Sequence, residues 1–228
     1  TTLPSRLSND LNNKKSIDTI LNQNYDSFEI HLNIPYFSKL EQKEYFIPDY
    51  LINDRIKIFR VEDDVGSHCK IYHTLQRVTD PEQIIITFDD DLLYHPDTLK
   101  IHALKRMRYP DCAIGFSGLG EVSDRPDRLH HLTSLDKDRR VKILEGYKSS
   151  SYKRKFFDDE YFKYATIYWD DDSVISAMMA KNGIKKIVAA WPGETDFRPR
   201  VESAPVINHI PLHASGCNIR RANNMQNR

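Results

Sequence analysis

Two runs of three consecutive aspartates stand out in this sequence, Asp89-Asp90-Asp91 and Asp170-Asp171-Asp172. Adjacent carboxylates repel one another when they are ionised, and a divalent cation relieves that repulsion. Oxygen ligands select hard cations such as Mg²⁺ or Mn²⁺, which usually also take phosphate oxygens from a substrate. The first run therefore predicts a metal site, and a solvated acidic turn ahead of the next helix is the alternative.

The residues before the first run predict how its side chains point. Ile84-Ile85-Ile86-Thr87-Phe88 is a continuous apolar stretch, typical of a strand that is buried on both faces. Successive side chains on a strand point to opposite sides, so Asp89 and Asp91 share one side and Asp90 takes the other. One carboxylate can then reach a ribose hydroxyl while the carboxylate two residues on holds the metal.

The second run precedes a predicted helix that ends at Gly183, where glycine is a favoured terminator. A carboxylate at this place can act as a general base. Helix N-termini also favour aspartate, so plain helix capping competes with this interpretation. The helix dipole favours the ionised form of the carboxylate, which suits a base but weakens it.

Strands that alternate with helices are predicted along the rest of the chain. Further strands are expected at 28–34, Ile56–Val61, 112–116, 141–144 and 184–190, and helices at 12–24, 68–78 and from Pro96 through Met107. Residues 118–140 are polar and highly charged, and they predict a loop. This order indicates a three-layer α/β domain with a mainly parallel sheet, whose ligands lie at the carboxyl ends of the strands.

Composition argues against several classes of protein. The 228 residues balance 33 lysines and arginines against 33 aspartates and glutamates, and a net charge of zero argues against a general nucleic-acid binder. No signal peptide is visible, and no apolar run approaches the ~20 residues needed to cross a bilayer. Cys69, Cys112 and Cys217 are too scattered for a disulfide scaffold or a zinc site. We expect an intracellular, cytoplasmic protein that is at most peripheral to a membrane.

Five segments together resemble GT-A glycosyltransferases that carry an Asp-x-Asp motif. Phe88-Asp89-Asp90-Asp91 resembles that motif itself. The other four resemble one subgroup found among bacterial and viral glycan-building enzymes: Thr1-Thr2-Leu3-Pro4-Ser5-Arg6 (its Thr-Thr-x-Pro-x-Arg opening), Asp63-Asp64-Val65-Gly66-Ser67-His68-Cys69-Lys70 (its Asp-x-Gly-Pro-x-x-Lys stretch), Glu145-Gly146-Tyr147 and Trp169-Asp170-Asp171-Asp172. The segments follow the family's order along nearly the whole chain, and Ser67 replaces the usual proline.

The resemblance implies one GT-A domain over 1–228, a Rossmann-like three-layer α/β/α fold. Residues 1–116 would form the nucleotide-sugar-binding half and 117–228 the acceptor and catalytic half. The implied activity is metal-dependent transfer of a sugar from a nucleoside-diphosphate sugar to a glycan or other hydroxyl acceptor, on a protein or a lipid. UDP is the default nucleotide, with GDP open, and an inverting reaction with an aspartate base is favoured over a retaining one.

On the donor side, the resemblance implies that the loop after the first strand cups the nucleotide. Thr1, Thr2, Pro4 and Arg6 would line that loop. The guanidinium of Arg6 suits phosphate, Asp64 would accept from the base or the ribose, and Lys70 would meet the diphosphate as a point charge. A surface arginine and a solvated lysine at a helix start are the alternatives.

For the metal, taken as Mn²⁺ or Mg²⁺, Asp91 is the first ligand and Asp89 contacts the ribose or the metal. Asp90 is counted with the nucleotide-sugar contacts, although strand geometry turns it away. A C-terminal histidine adds a metal or phosphate contact in many GT-A enzymes, and His213 is the candidate for it. A structural histidine is the alternative.

On the acceptor side, the resemblance implies Asp172 as the base, with Asp171 next. Glu145, Gly146 and Tyr147 would bind the substrate. Sugar rings stack on aromatic faces, so Tyr147, Tyr152, Trp169 and Trp191 are candidate platforms, with core packing as the alternative. The polar, basic segment 148–155 suggests a lid that orders over the donor, against a solvated loop.

Two other classes remain open. A metal-dependent nucleotidyltransferase or phosphohydrolase could use the same carboxylates, but a nucleotidyltransferase would add a phosphate loop rich in glycine and lysine. Residues 1–6 contain no glycine, which lowers that possibility. A non-catalytic carbohydrate- or nucleotide-binding domain would bind metal or nucleotide weakly and turn over nothing.

Overall fold

The computed structural model describes residues 11–39, 42–90, 92–122, 125–133, 137–146, 148–167 and 170–191. Within them the helices are α1 Leu11–Leu21, α2 Tyr72–Arg77, α3 Thr98–Arg108, α4 Asp159–Ala165 and α5 Asp171–Lys181. The strands are β1 Ile30–Pro35, β2 Phe37–Ser38, β3 Lys43–Glu44, β4 Ile56–Val61, β5 Ile84–Thr87, β6 Cys112–Gly115, β7 Ser117–Val122, β8 Arg125–Thr133, β9 Arg139–Arg140, β10 Ile143–Leu144, β11 Ser150–Lys153 and β12 Lys185–Val188. Single 3₁₀ turns lie at Asp49–Leu51, Gly66–Lys70 and Arg154–Phe156.

The central sheet has five strands in the order β5-β11-β6-β12-β9. Strands β6 and β12 are parallel, and β11 runs antiparallel to both of its neighbours, β5 and β6. Strands β5, β6 and β12 therefore share one direction, and β11 and β9 run against them. Strands β1 and β4 form a separate parallel pair, and the chain has the α/β fold with a central sheet that the alternation of elements predicts.

Helices cover both faces of the central sheet. Ala113 packs into a core cluster that contains residues of α4 and α5, whereas its neighbour Ile114 packs into another cluster with Ile101 of α3. Successive residues of a strand point to opposite faces, so α4 and α5 lie on one side of the sheet and α3 on the other. Each fully buried large apolar side chain contributes about 1.5–3 kcal/mol to this packing. Three layers result.

The loop predicted at 118–140 is wrong. Strands β7 and β8 form an antiparallel hairpin there, from Ser117 opposite Thr133 to Val122 opposite Arg125, and β10 joins it to make a three-stranded sheet. The sequence of β8 is polar and lacks the apolar alternation that marks a half-buried strand. The strand is defined instead by its backbone pairing with β7.

The lid predicted at 148–155 is also contradicted. Residues Ser150–Lys153 form β11, which lies between two strands of the central sheet and is buried along its length. Its polar side chains have partners inside the protein: the guanidinium of Arg106 donates to the carbonyl and hydroxyl oxygens of Ser151 at 3.0 and 2.8 Å. A strand hydrogen-bonded on both edges cannot open and close over a ligand.

Two further expectations hold only in part. Strand β5 is buried towards its carboxyl end, at Ile85 and Thr87, but Ile84 at its start is 41% exposed. The helix predicted at 68–78 is divided into the 3₁₀ turn Gly66–Lys70 and α2. That division matters for function because it places Lys70 at the end of a tight turn. None of the helices in the described segments combines the length and apolar character needed to span a bilayer.

Candidate functional site

A buried lysine joins the two aspartate runs. The ammonium Nζ of Lys70 lies 2.9 Å from Oδ1 of Asp89, just beyond β5, and 2.9 Å from Oδ2 of Asp171, the first residue of α5. Burial by itself would lower the pKa of Lys70, but the charges of Asp171 and Asp89 outweigh it and hold that pKa well above the ordinary value. Lys70 is therefore a permanent positive charge between the carboxyl end of β5, an outer strand of the central sheet, and the start of a helix.

Neighbouring aspartates on α5 have pKa values shifted in opposite directions. Burial would raise the pKa of Asp171, but the ammonium of Lys70, the nearby His68 and a hydrogen bond from Ser67 hold it below the ordinary value. Burial and the negative charge of Asp171 raise the pKa of Asp172 well above the usual range. The rise at Asp172 is the reverse of what the helix dipole alone leads one to expect. One carboxylate stays ionised, and the other is a stronger base than an exposed aspartate.

Gly146 fits closely between these side chains. Its backbone N–H donates to Oδ1 of Asp172 at 2.7 Å. A Cβ at this position would lie 3.1 Å from Nζ of Lys70 and 3.2 Å from Oδ1 of Asp172, closer than almost all real Cβ contacts. The neighbouring Glu145 accepts a hydrogen bond from the hydroxyl of Ser117 at 2.8 Å. A side chain at this position would require Lys70 or Asp172 to move by a few tenths of an ångström.

The first aspartate run is held by its backbone. The N–H of Asp89 donates to the hydroxyl of Tyr94 at 2.7 Å, and that hydroxyl donates back to the carbonyl of Asp89 at 3.1 Å. The carboxylate of Asp89 faces Lys70, and Asp90 is only 4% exposed. Asp91 lies outside the described residues. β5 ends at Thr87 and Asp90 lies in a turn, so the strand alternation predicted for the run does not extend to these two residues.

One of the three predicted metal ligands, Asp89, lies among the described residues. Within the described segments, no three His, Cys, Asp or Glu side chains come together as metal ligands. Asp89 supplies carboxylate oxygen, the donor type that Mg²⁺ and Mn²⁺ prefer. Two other predicted ligands, Asp91 and His213, lie outside the described residues. Asp89 is therefore the predicted ligand that the structure places at the site.

Asp64 has a role that the sequence did not indicate. Its side chain is buried, Oδ2 accepts from the N–H of Lys39 at 2.8 Å, and Oδ1 accepts from the N–H of Gly66 at 2.9 Å. These bonds brace the turn that carries Lys70. A contact of Asp64 with the base or the ribose stays a prediction.

Four of the sequence-predicted segments thus meet, through Lys70, Asp89, Gly146 and the pair Asp171 and Asp172. The supporting residues Ser67, Tyr94 and Ser117 were missed by sequence reasoning. Ser67 alone had a signal, because it stands where the resemblance has proline. Tyr152 is only 1% exposed and is core rather than a sugar platform. Trp191 is partly buried and its ring contacts those of His95 and Phe116, so it packs against the core. The following predicted residues lie outside the described segments: Thr1, Thr2, Pro4, Arg6, Asp91, Tyr147, Trp169 and His213.

Comparisons with known proteins give slight likenesses. No family model and no curated protein matches the sequence. S. aureus TarS superposes with a TM-score of 0.47 at 14% identity over 81% of this chain and 56% of that chain, so this chain spans about half the length of that TarS structure. A TarS complex with UDP-GlcNAc gives 0.48 at 14% identity over 81% of this chain and 54% of that one. The 4-diphosphocytidyl-2C-methyl-D-erythritol synthase of Anaerococcus prevotii gives 0.47 at 10% identity over 80% and 81%. At these values the site's own residues must carry the functional argument.

Proposed function

We propose that this chain is a GT-A-type glycosyltransferase that moves a sugar from a nucleoside-diphosphate sugar, UDP being the first choice, to a hydroxyl group of a glycan acceptor. The observation that carries the proposal is the meeting of segments far apart in the sequence. Lys70 contacts Asp89 and Asp171, and Gly146 contacts Asp172. The resemblance assigns these segments to the donor side and the acceptor side of one reaction.

Asp172 is the proposed base. It accepts the proton of the acceptor hydroxyl while the hydroxyl oxygen forms a bond to the anomeric carbon. The bond from that carbon to the diphosphate oxygen breaks on the opposite face, its electron pair stays on the diphosphate, and the sugar is inverted. The raised pKa of Asp172 supports this role, because a base is more effective when its pKa approaches the working pH. Asp171 keeps its charge beside it and positions Lys70.

Lys70 is the proposed electrostatic contact for the departing diphosphate. Its ammonium is buried and charged, and a fixed positive charge in a region of low dielectric stabilises negative charge that develops in the transition state. Mn²⁺ or Mg²⁺, held by Asp91 and Asp89 with His213 as a further candidate, would neutralise the same charge when bound. Thr1, Thr2, Pro4, Arg6 and Asp64 are the proposed nucleotide contacts, with Glu145 and Tyr147 on the acceptor side.

The proposal is tested first by binding. Titration of the protein with UDP, with and without Mn²⁺, is expected to show binding that depends on the metal. Asp89→Asn should weaken that dependence, while Asp159→Asn, an exposed aspartate in the first turn of α4, should leave it unchanged. Equal UDP binding with and without Mn²⁺ would overturn the metal requirement.

Turnover is then measured on a set of UDP- and GDP-sugars by the nucleoside diphosphate and the free or transferred sugar that are released. Release of a nucleoside diphosphate together with the sugar supports the proposal. Release of pyrophosphate would show a nucleotidyltransferase instead. Binding of nucleotide sugars with no turnover of any of them would show a binding domain.

A further inference from the structure

The turn that carries Gly146 holds two residues in an unusual backbone conformation. The N–H of Ser149 donates to the carbonyl of Gly146 at 3.1 Å and closes the turn. Lys148 and Ser149 have φ angles of 68° and 88°, in the left-handed region where a side chain with a Cβ is strained. Glycine or asparagine would adopt this conformation at lower cost. Because Gly146 also donates to Asp172, this strain lies next to the proposed base.

The two strained residues differ in what their side chains do. Ser149 is fully buried, and its hydroxyl lies 2.9 Å from Nε2 of His102, so the packing of the turn on α3 accounts for it. Lys148 is half-buried. Burial lowers the pKa of its ammonium, and the negative charge of Glu145 opposes that change only in part. A partly buried cation thus lies two residues after Gly146, at a backbone position that favours glycine.

We propose that Lys148 is a specificity-determining residue that binds an anionic group, a carboxylate or a phosphate, of the sugar acceptor. The inference rests on the proposed function, because the acceptor hydroxyl must reach Asp172 and the turn at Gly146 touches that carboxylate. A lysine ammonium acts as a compact point charge, and partial burial strengthens its attraction for an anion relative to bulk water. The donor diphosphate is a poorer match, because Lys70 already serves the donor side.

The test uses three sugars of similar size: glucose, glucuronate and glucose 6-phosphate. Their dissociation constants are measured by ligand-observed NMR on the protein saturated with UDP and Mg²⁺, which is diamagnetic and leaves the ligand signals sharp. Wild-type protein is expected to bind at least one charged sugar about tenfold more tightly than glucose, a difference of about 1.4 kcal/mol. Preference for glucuronate would show that the site selects a carboxylate, and preference for glucose 6-phosphate would show that it selects a phosphate. Equal preference for the two would show that the site recognises negative charge alone.

Matched variants separate charge from strain. Lys148→Asn removes the ammonium and tolerates the left-handed conformation, so it should lose the preference while its Tm stays the same or rises by about 2–4 °C. Lys148→Arg keeps the charge and should keep the preference. Gln42→Asn makes the same type of replacement at another left-handed residue, φ 54°, and should change no dissociation constant.

Two results would overturn the inference. One is glucose binding as tightly as both charged sugars, and the other is an unchanged preference in Lys148→Asn. Failure of the proposed function is seen separately, because it appears as absent or metal-independent binding of UDP in the same samples before any sugar is added.

Discussion

The two aspartate runs are identical in sequence but follow different backbone elements. Asp89 and Asp90 follow the end of β5 at Thr87, with Asp90 in a turn, and one side chain faces Lys70 while the other is buried. Asp171 and Asp172 lie in the first turn of α5, where both side chains reach the site. Among the described residues of the two runs, Asp89 and Asp171 contact Lys70, and Asp172 contacts the turn at Gly146.

The difference in backbone leads to a difference in electrostatics. On α5, Lys70 and Ser67 stabilise the charge of Asp171, and that charge in turn raises the pKa of its neighbour. Such a pair divides the work, because one carboxylate stays ionised and the other can take up a proton. In the first run, Asp89 is the carboxylate that contacts Lys70 among the described residues. A single ionised carboxylate suits contact with a cation or a hydroxyl group better than proton transfer.

The largest effect is expected from removing the proposed base. Asp172→Asn should lower kcat about 10³-fold, because general bases typically contribute 10²–10⁴-fold, and should leave UDP binding within about twofold. The steady-state rate and the UDP dissociation constant are the two measurements. In wild-type protein the acidic limb of the rate profile should lie above the range of an ordinary aspartate, since the pKa of Asp172 is raised.

Asp89→Asn provides the comparison between the runs. It should weaken nucleotide binding and keep an acidic limb in the pH profile, moved to somewhat lower pH because the charge of Asp89 helps to raise the pKa of Asp172. If Asp89→Asn abolished that limb while Asp172→Asn retained it, the division of labour between the two runs would be reversed.

The next effect concerns the lysine that both runs share. Lys70→Met should lower the free energy of unfolding by about 3 kcal/mol at pH 7, because it leaves Asp171 buried without its cation. In wild-type protein the lowered pKa of Asp171 gives stability that is complete above an unfolded pKa of about 4. In the variant, burial raises that pKa, so the destabilisation grows as the pH rises above about 4. Urea unfolding at several pH values measures it.

Lys181 is the matched control because it also bridges two carboxylates, Asp158 at 3.0 Å and Glu160 at 2.7 Å, but on the surface. Lys181→Met should change stability little, since exposed ion pairs contribute weakly. A destabilisation by Lys70→Met that did not vary with pH would show that lost packing, and not the bridge between the runs, is responsible.

The sequence predicted the residues of the site better than it predicted the connections between them. Lys70, Gly146 and Asp172 could be picked out because resemblance and charge mark them. The hairpin of β7 and β8 was missed because its second strand is polar, and β11 was taken for a lid because serines and a lysine look solvated in a linear sequence. The opposite pKa shifts on α5 depend on Lys70, 101 positions away from Asp171, and no local pattern shows such a partner.

The smallest effect is expected from Gly146→Ala, which shows on which of the two aspartate runs the turn at Gly146 acts. Gly146→Ala places a Cβ near Lys70 and Asp172. The flexible ammonium of Lys70 can move aside, whereas the carboxylate of Asp172 is fixed on a helix and takes the strain. We therefore expect kcat to fall about tenfold, or about 1.4 kcal/mol, with little change in nucleotide binding. Gly183→Ala is the control: at φ 70° with open space around it, it should cost about 1 kcal/mol of stability and no activity. Weaker UDP binding at unchanged kcat would contradict this expectation. The turn at Gly146 would then act through Lys70 on the first aspartate run, and it would belong to the donor side rather than the acceptor side.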